Sequence, residues 1–187
     1  GFLARLCPLK GLDILIDAFL ILKKSSKHTD LRLEIAGGMT GEDEPFVQEQ
    51  KDKLENAGLS ACSTFRPNIE RDEKLKLLRG LNVFSVPSRY PEAFGLYVIE
   101  ALAAGTPVVL PKSGAFPEIV EDTGGGIIYE ENNPSDLAIA LDQILKDSEV
   151  SKKMGIFGRD VVMEKYSNEK LAKSLVDNIL APAIATS

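Results

Sequence analysis

Residues 91–109, PEAFGLYVIEALAAGTPVV, decide the fold of this chain, because they join one apolar run to another through a short helix. Apolar side chains recur at helical spacing within it, at Leu96, Ile99, Leu102 and Ala103. Gly105-Thr106-Pro107 closes the helical pattern, and the apolar residues 108–110 follow directly. A strand, a helix and a second strand in this order are typical of parallel strands in an α/β fold.

Two acids mark the same stretch. Glu92 stands before the helix and Glu100 lies within its apolar pattern, with seven residues between them. A buried carboxylate costs several kcal/mol unless a partner compensates it, so Glu100 either lies at the rim of a cleft or bonds something specific. Gly95 leaves the first helical N–H groups open to an anion. Spacing alone favours two solvated acids, so a phosphate site needs support from other residues.

The rest of the chain continues the alternation outward from this stretch. Six apolar runs predict strands, at residues 2–6, 31–36, 63–66, 83–86, 108–110 and 127–129. Helical patterns separate or follow them, at residues 12–24, 46–56, 72–81, 96–103, 113–120, 134–145 and 149–166, with Ser167 capping a last helix through Leu171, Leu175 and Leu180. We found no hairpin dipeptide, repeat or linker. The pattern therefore predicts one Rossmann-like doubly wound domain over 1–187, a parallel six-stranded sheet with helices on both faces.

Composition narrows the classes of function. The 187 residues are 44% hydrophobic and 27% charged, and the net charge of −6 without a basic run argues against nucleic-acid binding. No apolar segment has membrane-spanning length. Cys7 and Cys62 fit neither a zinc site nor a disulfide framework, which suits the cytoplasm. His28, the single histidine, lies in the polar string SSKHTD and is expected to be solvent-exposed rather than catalytic.

Charged residues that follow the predicted strands are the candidates for a site. Ligands of doubly wound folds bind at the carboxyl ends of the strands, where this chain has Arg5, Lys10, Arg66 and Glu92. The chain lacks a GxGxxG motif, a P-loop and a loop with two acids one residue apart, as metal-dependent sugar transfer commonly needs. Arg5 and Lys10 together suit a diphosphate without a metal. Taken singly, a surface salt bridge for Arg5 and a solvated Lys10 are favoured over a ligand site, whereas taken together they are less favoured.

These strings resemble one enzyme family. ARLCPLKG at 4–11, PS at 87–88, EAFGL at 92–96, EA at 100–101, GTPVV at 105–109 and the segment from Gly114 to Val120 resemble the signatures of retaining, nucleotide-sugar-dependent glycosyltransferases of family four. That family is also called glycosyl transferases group 1 and has the GT-B fold. The resemblance runs from residue 1 to about residue 166. It implies a chain that forms one half of a GT-B enzyme.

The resemblance also implies roles for individual residues. Arg5 and Lys10 would hold the donor diphosphate, Glu100 the ribose hydroxyls and Glu92 the donor sugar, with the backbone amides of 94–96 reaching sugar and phosphate. With Arg66, the donor-binding set is Arg5, Lys10, Arg66, Glu92, Ala93, Phe94, Gly95, Leu96 and Glu100. Glu92, Arg5 and Lys10 are the expected catalytic residues, with no metal and no cofactor. Ala115 departs from the second glycine usual in the family, which could narrow the donor pocket.

The implied activity is transfer of a sugar from a nucleotide diphosphate to a glycan, lipid or small-molecule acceptor, with retention. The acceptor would bind a missing N-terminal domain, through which a cytoplasmic enzyme could also associate peripherally with a membrane. The helices after Ser167 would pack toward that domain. Two alternatives stay open, a nucleotide-sugar epimerase on the same fold and a non-catalytic binding module. Glu92 could be a nucleophile, or the diphosphate itself could act as base in a front-face reaction.

Overall fold

The structure, a computed structural model, describes residues 1–130 and 133–167, with residues 169, 170, 172 and 176. Within them lie five strands: β1 (Phe2–Leu3), β2 (Leu33–Gly37), β3 (Ser63–Pro67), β4 (Val108–Pro111) and β5 (Gly126–Tyr129). The α-helices are α1 (Leu12–Lys24), α2 (Glu44–Asn56), α3 (Arg71–Gly80), α4 (Leu96–Ala103), α5 (Phe116–Thr123), α6 (Pro134–Leu145) and α7 (Ser148–Lys165). The order of strands and helices is the one that the apolar pattern predicts, except at residues 83–86.

All strand pairs are parallel. The strands form a three-stranded sheet in the order β1-β2-β3 and a two-stranded sheet of β4 and β5. Ile35 is paired with Phe2 on one side and with Phe65 on the other. Every connection between paired strands passes through a helix, as parallel pairing requires. The prediction of a Rossmann-like α/β domain with parallel strands is therefore confirmed.

The predicted six-stranded sheet is not found in the described part of the chain, which has five strands. Residues 83–86 form an isolated bridge, Phe84 to Val108, in place of a regular strand. The Phe84 N–H donates to the Pro107 carbonyl and the Ser85 N–H to the Gly1 carbonyl, both at 2.9 Å. The segment thus lies between β1 and β4. Pro87 follows it without an N–H, so the ladder cannot extend toward the carboxyl end.

Helices pack against both sides of this arrangement. The Tyr97 ring of α4 lies 6.3 Å from the Phe84 ring. The neighbouring Val83 lines a small cavity with Leu15 of α1 and Leu141 of α6. Adjacent residues of an extended segment point to opposite faces, so α4 and the α1–α6 pair cover different faces. No helix in the described residues has the length and apolar content needed to cross a membrane.

Two local expectations changed with the structure. The helix predicted at 113–120 begins later, as α5, because Gly114 has a φ of +54° and Pro117 lies in the first turn. His28 is not solvent-exposed as expected: its side chain is 11% exposed and Nε2 lies 2.7 Å from Asp142 Oδ1 of α6. The chain enters this turn directly from α1, which packs on α6. Ser167 accepts a hydrogen bond from the Lys170 N–H at 3.4 Å, while the last helix, with Leu171, Leu175 and Leu180, falls outside the described residues.

Candidate functional site

Lys10 and Glu92, 82 residues apart in sequence, meet beyond the end of β1. Lys10 ends a short 3₁₀ helix, Pro8–Lys10, and its ammonium contacts Glu92 Oε1. The Ser88 hydroxyl donates to the same carboxylate oxygen at 3.0 Å. Burial acts to raise the pKa of Glu92, but the hydrogen bonds from Lys10 and Ser88 and the Lys10 charge outweigh burial, and the pKa is lowered. Glu92 is therefore an anion at neutral pH.

An aromatic floor lies under the Lys10 ammonium. Its Nζ is 5.6 Å from the centroid of the Tyr97 ring, a distance at which a cation is attracted to an aromatic face. The Tyr97 ring lies 6.3 Å from both Phe84 and Phe116. Burial, and then the Glu92 charge, raise the pKa of the Tyr97 phenol. The phenol consequently stays protonated and the floor stays neutral.

Two glycines shape the loop that carries Glu92. Gly95 caps α4 with a φ of +68°, and a Cβ there would lie 2.9 Å from Phe116 Cε1. Gly114 has a φ of +54°, and a Cβ there would lie 2.5 Å from the Glu92 nitrogen. The Ala115 N–H donates to the Glu92 carbonyl at 2.9 Å. The loop before α5 thus supports the Glu92 backbone, and Ala115 itself packs partly buried against the core.

Glu100, on α4, is already paired. Lys74 of α3 lies with its Nζ 2.6 Å from Glu100 Oε1, and both side chains are about one-third exposed. This is the rim position that an acid in an apolar helix requires. Sequence reasoning did not identify Lys74, because only the packing of α3 against α4 brings it to Glu100.

The two predicted arginines lie in separate ion pairs. Arg5 donates from Nε to both carboxylate oxygens of Asp43 at 3.3 Å. The pKa of Asp43 is lowered, first by the backbone N–H of Thr40 and then by Arg5, despite burial. Arg66, at the end of β3, lies with Nη2 2.9 Å from Glu34 Oε2 of β2. The structure brings Lys10 and Glu92 into direct contact, and it gives Arg5 and Arg66 carboxylate partners of their own.

The remaining predicted residues line the approach to α4. Ala93, Phe94 and Leu96 are exposed, and the Phe94 ring lies 6.4 Å from the Tyr166 ring at the end of α7. The N–H groups of the first turn of α4 point out of the helix end beside Gly95, where an anion is stabilised. Among the described residues, no group of three or more His, Cys, Asp or Glu side chains is arranged to hold a metal ion.

Sequence reasoning missed two further parts of the site. Tyr97 lies within the predicted helix at 96–103 but is not among the predicted site residues, although a phenol in an apolar pattern is itself a sign of a polar neighbour. Arg89 is also absent from the predicted site residues, whereas its guanidinium makes a two-pronged contact with Asp13. No spacing rule links positions 76 residues apart, and only the adjacency of the two loops beyond β1 and residues 83–86 brings them together.

Comparison with known proteins identifies the family of this chain. The family model described as glycosyl transferases group 1 matches residues 1–161. The D-inositol 3-phosphate glycosyltransferase of Paenarthrobacter aurescens is 34% identical over 154 residues, which are 82% of this chain and 37% of the relative. The corresponding protein of Corynebacterium jeikeium is 33% identical over 155 residues, 83% of this chain and 37% of that protein. The chain therefore spans little more than a third of the length of these curated relatives.

Solved structures show the same fold. The C-terminal domain of a glycosyl transferase group 1 family protein from Francisella tularensis superposes with a TM-score of 0.80 at 30% identity, over 89% of this chain and 85% of that one. The Anabaena protein HepE, solved in complex with UDP and glucose, superposes with a TM-score of 0.79 at 21% identity. That match covers 94% of this chain and 48% of HepE.

Proposed function

Because the chain belongs to the glycosyl transferases group 1 family, we propose that it carries the donor-binding half of a retaining, metal-independent glycosyltransferase with the GT-B fold. The donor is a nucleotide-diphosphate sugar, and no cofactor takes part besides this substrate. The observation that carries the proposal is the contact of Lys10 with Glu92 beside the start of α4. The names of the relatives, and the UDP and glucose bound by HepE, support the donor class.

The donor diphosphate binds between Lys10 and the first turn of α4. Lys10 supplies a point charge held over Tyr97, and the helix adds backbone N–H donors and the positive end of its dipole. Arg5 reaches the diphosphate from the other side of the β1 end, by exchanging part of its contact with Asp43. These groups stabilise the negative charge that develops on the leaving diphosphate, which is the work a metal ion does in other transferases. Glu100 accepts hydrogen bonds from the ribose hydroxyls.

Glu92 serves the donor sugar. Its lowered pKa keeps it ionised, so it accepts hydrogen bonds from sugar hydroxyls and stabilises positive charge at the anomeric carbon rather than donating a proton. Retention follows either from Glu92 acting as nucleophile or from front-face attack with the departing diphosphate as base. Moving Lys10 away from Glu92 leaves a partly buried carboxylate with only its Ser88 contact, so sugar hydroxyls must replace the contact that is lost.

The acceptor, a glycan, lipid or small molecule, binds a part of the full-length protein outside these residues, in keeping with the greater length of the relatives. Attack geometry for the acceptor is worth about 7–11 kcal/mol of a barrier, so these residues alone would bind the donor without transferring the sugar. The enzyme works in the cytoplasm, where association with a membrane surface would come from the acceptor half. Nucleic acid is not a partner, given the net charge of −6.

A thermal-shift panel of UDP, GDP, ADP and their hexose conjugates tests the proposal. A ligand present at about 100 times its dissociation constant stabilises the protein by about 2.7 kcal/mol, which is readily measured. Lys10→Ala should remove the shift given by the best ligand. Lys53→Ala, which breaks the Lys53–Asp17 ion pair of α2 and α1, is the matched control and should keep it. A protein that no member of the panel stabilises would contradict the proposal. Donor epimerised without any acceptor would instead indicate an isomerase.

A further inference from the structure

An ion pair between Arg89 and Asp13, called the latch below, joins the two loops that carry Lys10 and Glu92. Arg89 donates from Nη1 to Asp13 Oδ1 at 2.8 Å and from Nη2 to Asp13 Oδ2 at 2.6 Å, a two-pronged contact. The same Nη1 donates to the Pro8 carbonyl at 2.6 Å, and the Arg89 N–H donates to the Leu9 carbonyl at 2.8 Å. One residue thus binds both the start of the 3₁₀ helix that bears Lys10 and the first turn of α1.

The turn between Lys10 and α1 leaves no room for a side chain at Gly11. Gly11 has a φ of +71°, and a Cβ there would lie 2.8 Å from the Pro87 carbonyl carbon. The Ser88 Oγ lies 2.9 Å from the Tyr90 carbonyl oxygen and 3.0 Å from Glu92 Oε1, and these two acceptors share its single proton. The loop 87–92 is therefore seated on the loop 8–13 on one side and bonded to the Glu92 carboxylate on the other.

We propose that Arg89, held by Asp13, is the positioning residue that sets Lys10 opposite Glu92 for binding the donor diphosphate. The inference rests on the proposed function, because it assigns Lys10 to the diphosphate. Arg89 acts through Lys10: its guanidinium is held by Asp13 and by the Pro8 carbonyl, and it fixes the 3₁₀ helix on which Lys10 stands. Lys could not replace it, because one ammonium cannot make the forked contact with Asp13 while holding the Pro8 carbonyl.

If Arg89 and Asp13 only stabilised the fold, their loss would change the unfolding midpoint rather than ligand affinity. The Arg89 and Asp13 side chains are about one-third exposed, at 34% and 27%, so solvent screens part of what their ion pair adds to the free energy of unfolding. Each partner also lies at the edge of the core rather than within it. Loss of the latch should therefore leave the domain folded and move the loop that carries Lys10. Ligand affinity, rather than the unfolding midpoint, is the property that should respond.

A double-mutant cycle tests whether Arg89 positions Lys10. Calorimetry measures the affinity for UDP and for inorganic pyrophosphate in four proteins: the parent, Arg89→Ala, Lys10→Ala and the double variant. We expect Arg89→Ala to weaken both ligands roughly tenfold, a part of what a charged hydrogen bond contributes. In the Lys10→Ala background, Arg89→Ala should lower both affinities by less than about twofold, because the residue that Arg89 positions is gone. Asp13→Asn, made from the other side of the latch, should repeat this pattern. Lys53→Ala should change neither affinity.

A second readout does not depend on any nucleotide. In a carbon-detected NMR titration of the Glu92 carboxyl, the parent should show a lowered pKa, and Arg89→Ala should raise it toward the value found in Lys10→Ala. Equal ligand losses from Arg89→Ala with and without Lys10, or an unchanged Glu92 titration in Arg89→Ala, would overturn the latch. A parent that binds neither UDP nor pyrophosphate would overturn the proposed function, and the Glu92 titration would still decide on the latch.

Discussion

Gly114→Ala is the substitution that tests most directly how the Glu92 loop is supported. Two costs add at this position. A residue with a Cβ at φ +54°, in the left-handed region, lowers the free energy of unfolding by about 1–2 kcal/mol relative to glycine. The new Cβ would also lie 2.5 Å from the Glu92 nitrogen, so backbone must move, at about 1–3 kcal/mol. We therefore expect the free energy of unfolding to fall by about 2–5 kcal/mol.

Gly58→Ala separates the two costs. Gly58 has a φ of +70°, nearly that of Gly114, and a Cβ there would meet no atom within 4 Å. It should lose about 1–2 kcal/mol, the conformational cost alone. Urea denaturation of both variants and the parent measures the difference, which we expect to be about 1–3 kcal/mol.

The same pair of variants reports on ligand binding. Movement of the Glu92 backbone in Gly114→Ala should weaken nucleotide-sugar binding more than binding of the bare nucleoside diphosphate, since we propose that Glu92 binds the sugar. Gly58→Ala, at the end of α2, should alter neither affinity. If Gly114→Ala were no less stable than Gly58→Ala and bound the nucleotide sugar as tightly as the parent, the loop before α5 would not support Glu92.

Three further variants complete the set. Glu100→Gln should weaken the nucleoside diphosphate and the nucleotide sugar alike, by roughly tenfold in calorimetry, because both contain the ribose. Glu92→Gln should bind the bare diphosphate within a few-fold of the parent but transfer sugar poorly; equal losses of diphosphate affinity in both variants would contradict these roles. The pKa of Asp142 is lowered, chiefly by its hydrogen bond with His28. The ionised Asp142 therefore stabilises the fold at any pH above its unfolded pKa of about 3.9. This stabilisation is lost as the pH falls through the pKa of the folded state. Asp142→Asn should therefore be less stable than the parent in urea at pH 6, and the difference should shrink toward pH 2; a pH-independent difference would contradict the ion pair.

Much of the fold could be predicted because it rests on local apolar pattern. The apolar residues of 96–103 recur at helical spacing, and this stretch forms α4. Asn133, before Pro134, caps α6 by accepting a hydrogen bond from the Ser135 N–H at 3.0 Å. Residues 83–86 could not be resolved in the same way. An apolar run shows that a segment is buried, whereas the length of its ladder depends on the neighbouring segments, and here the pairing is one bridge, Phe84 to Val108.

The candidate site divides along the same line. Motif positions named Lys10 and Glu92, but their contact depends on two loops that the sheet brings together. Lys74 and Asp13 have no motif of their own, and they enter through the partners Glu100 and Arg89. His28 shows the converse error, since a polar neighbourhood in sequence predicted exposure, yet the packing of α1 on α6 covers it. The sequence motifs identify the charged residues of the candidate site, and tertiary packing identifies their counterions.

Those counterions bear on how a donor would bind. Lys10, Glu100 and Arg5 each already have a partner of opposite charge, in Glu92, Lys74 and Asp43. A diphosphate or ribose therefore enters by exchange, and its affinity reflects the difference between two sets of charged hydrogen bonds rather than the sum of the new ones. The internal pairs keep the partly buried charges compensated before the ligand arrives, so the loops hold their arrangement without it. Lys10 and Glu92 differ from the other pairs in one respect: both partners face the donor, so a sugar diphosphate can satisfy the anion and the cation in the same event.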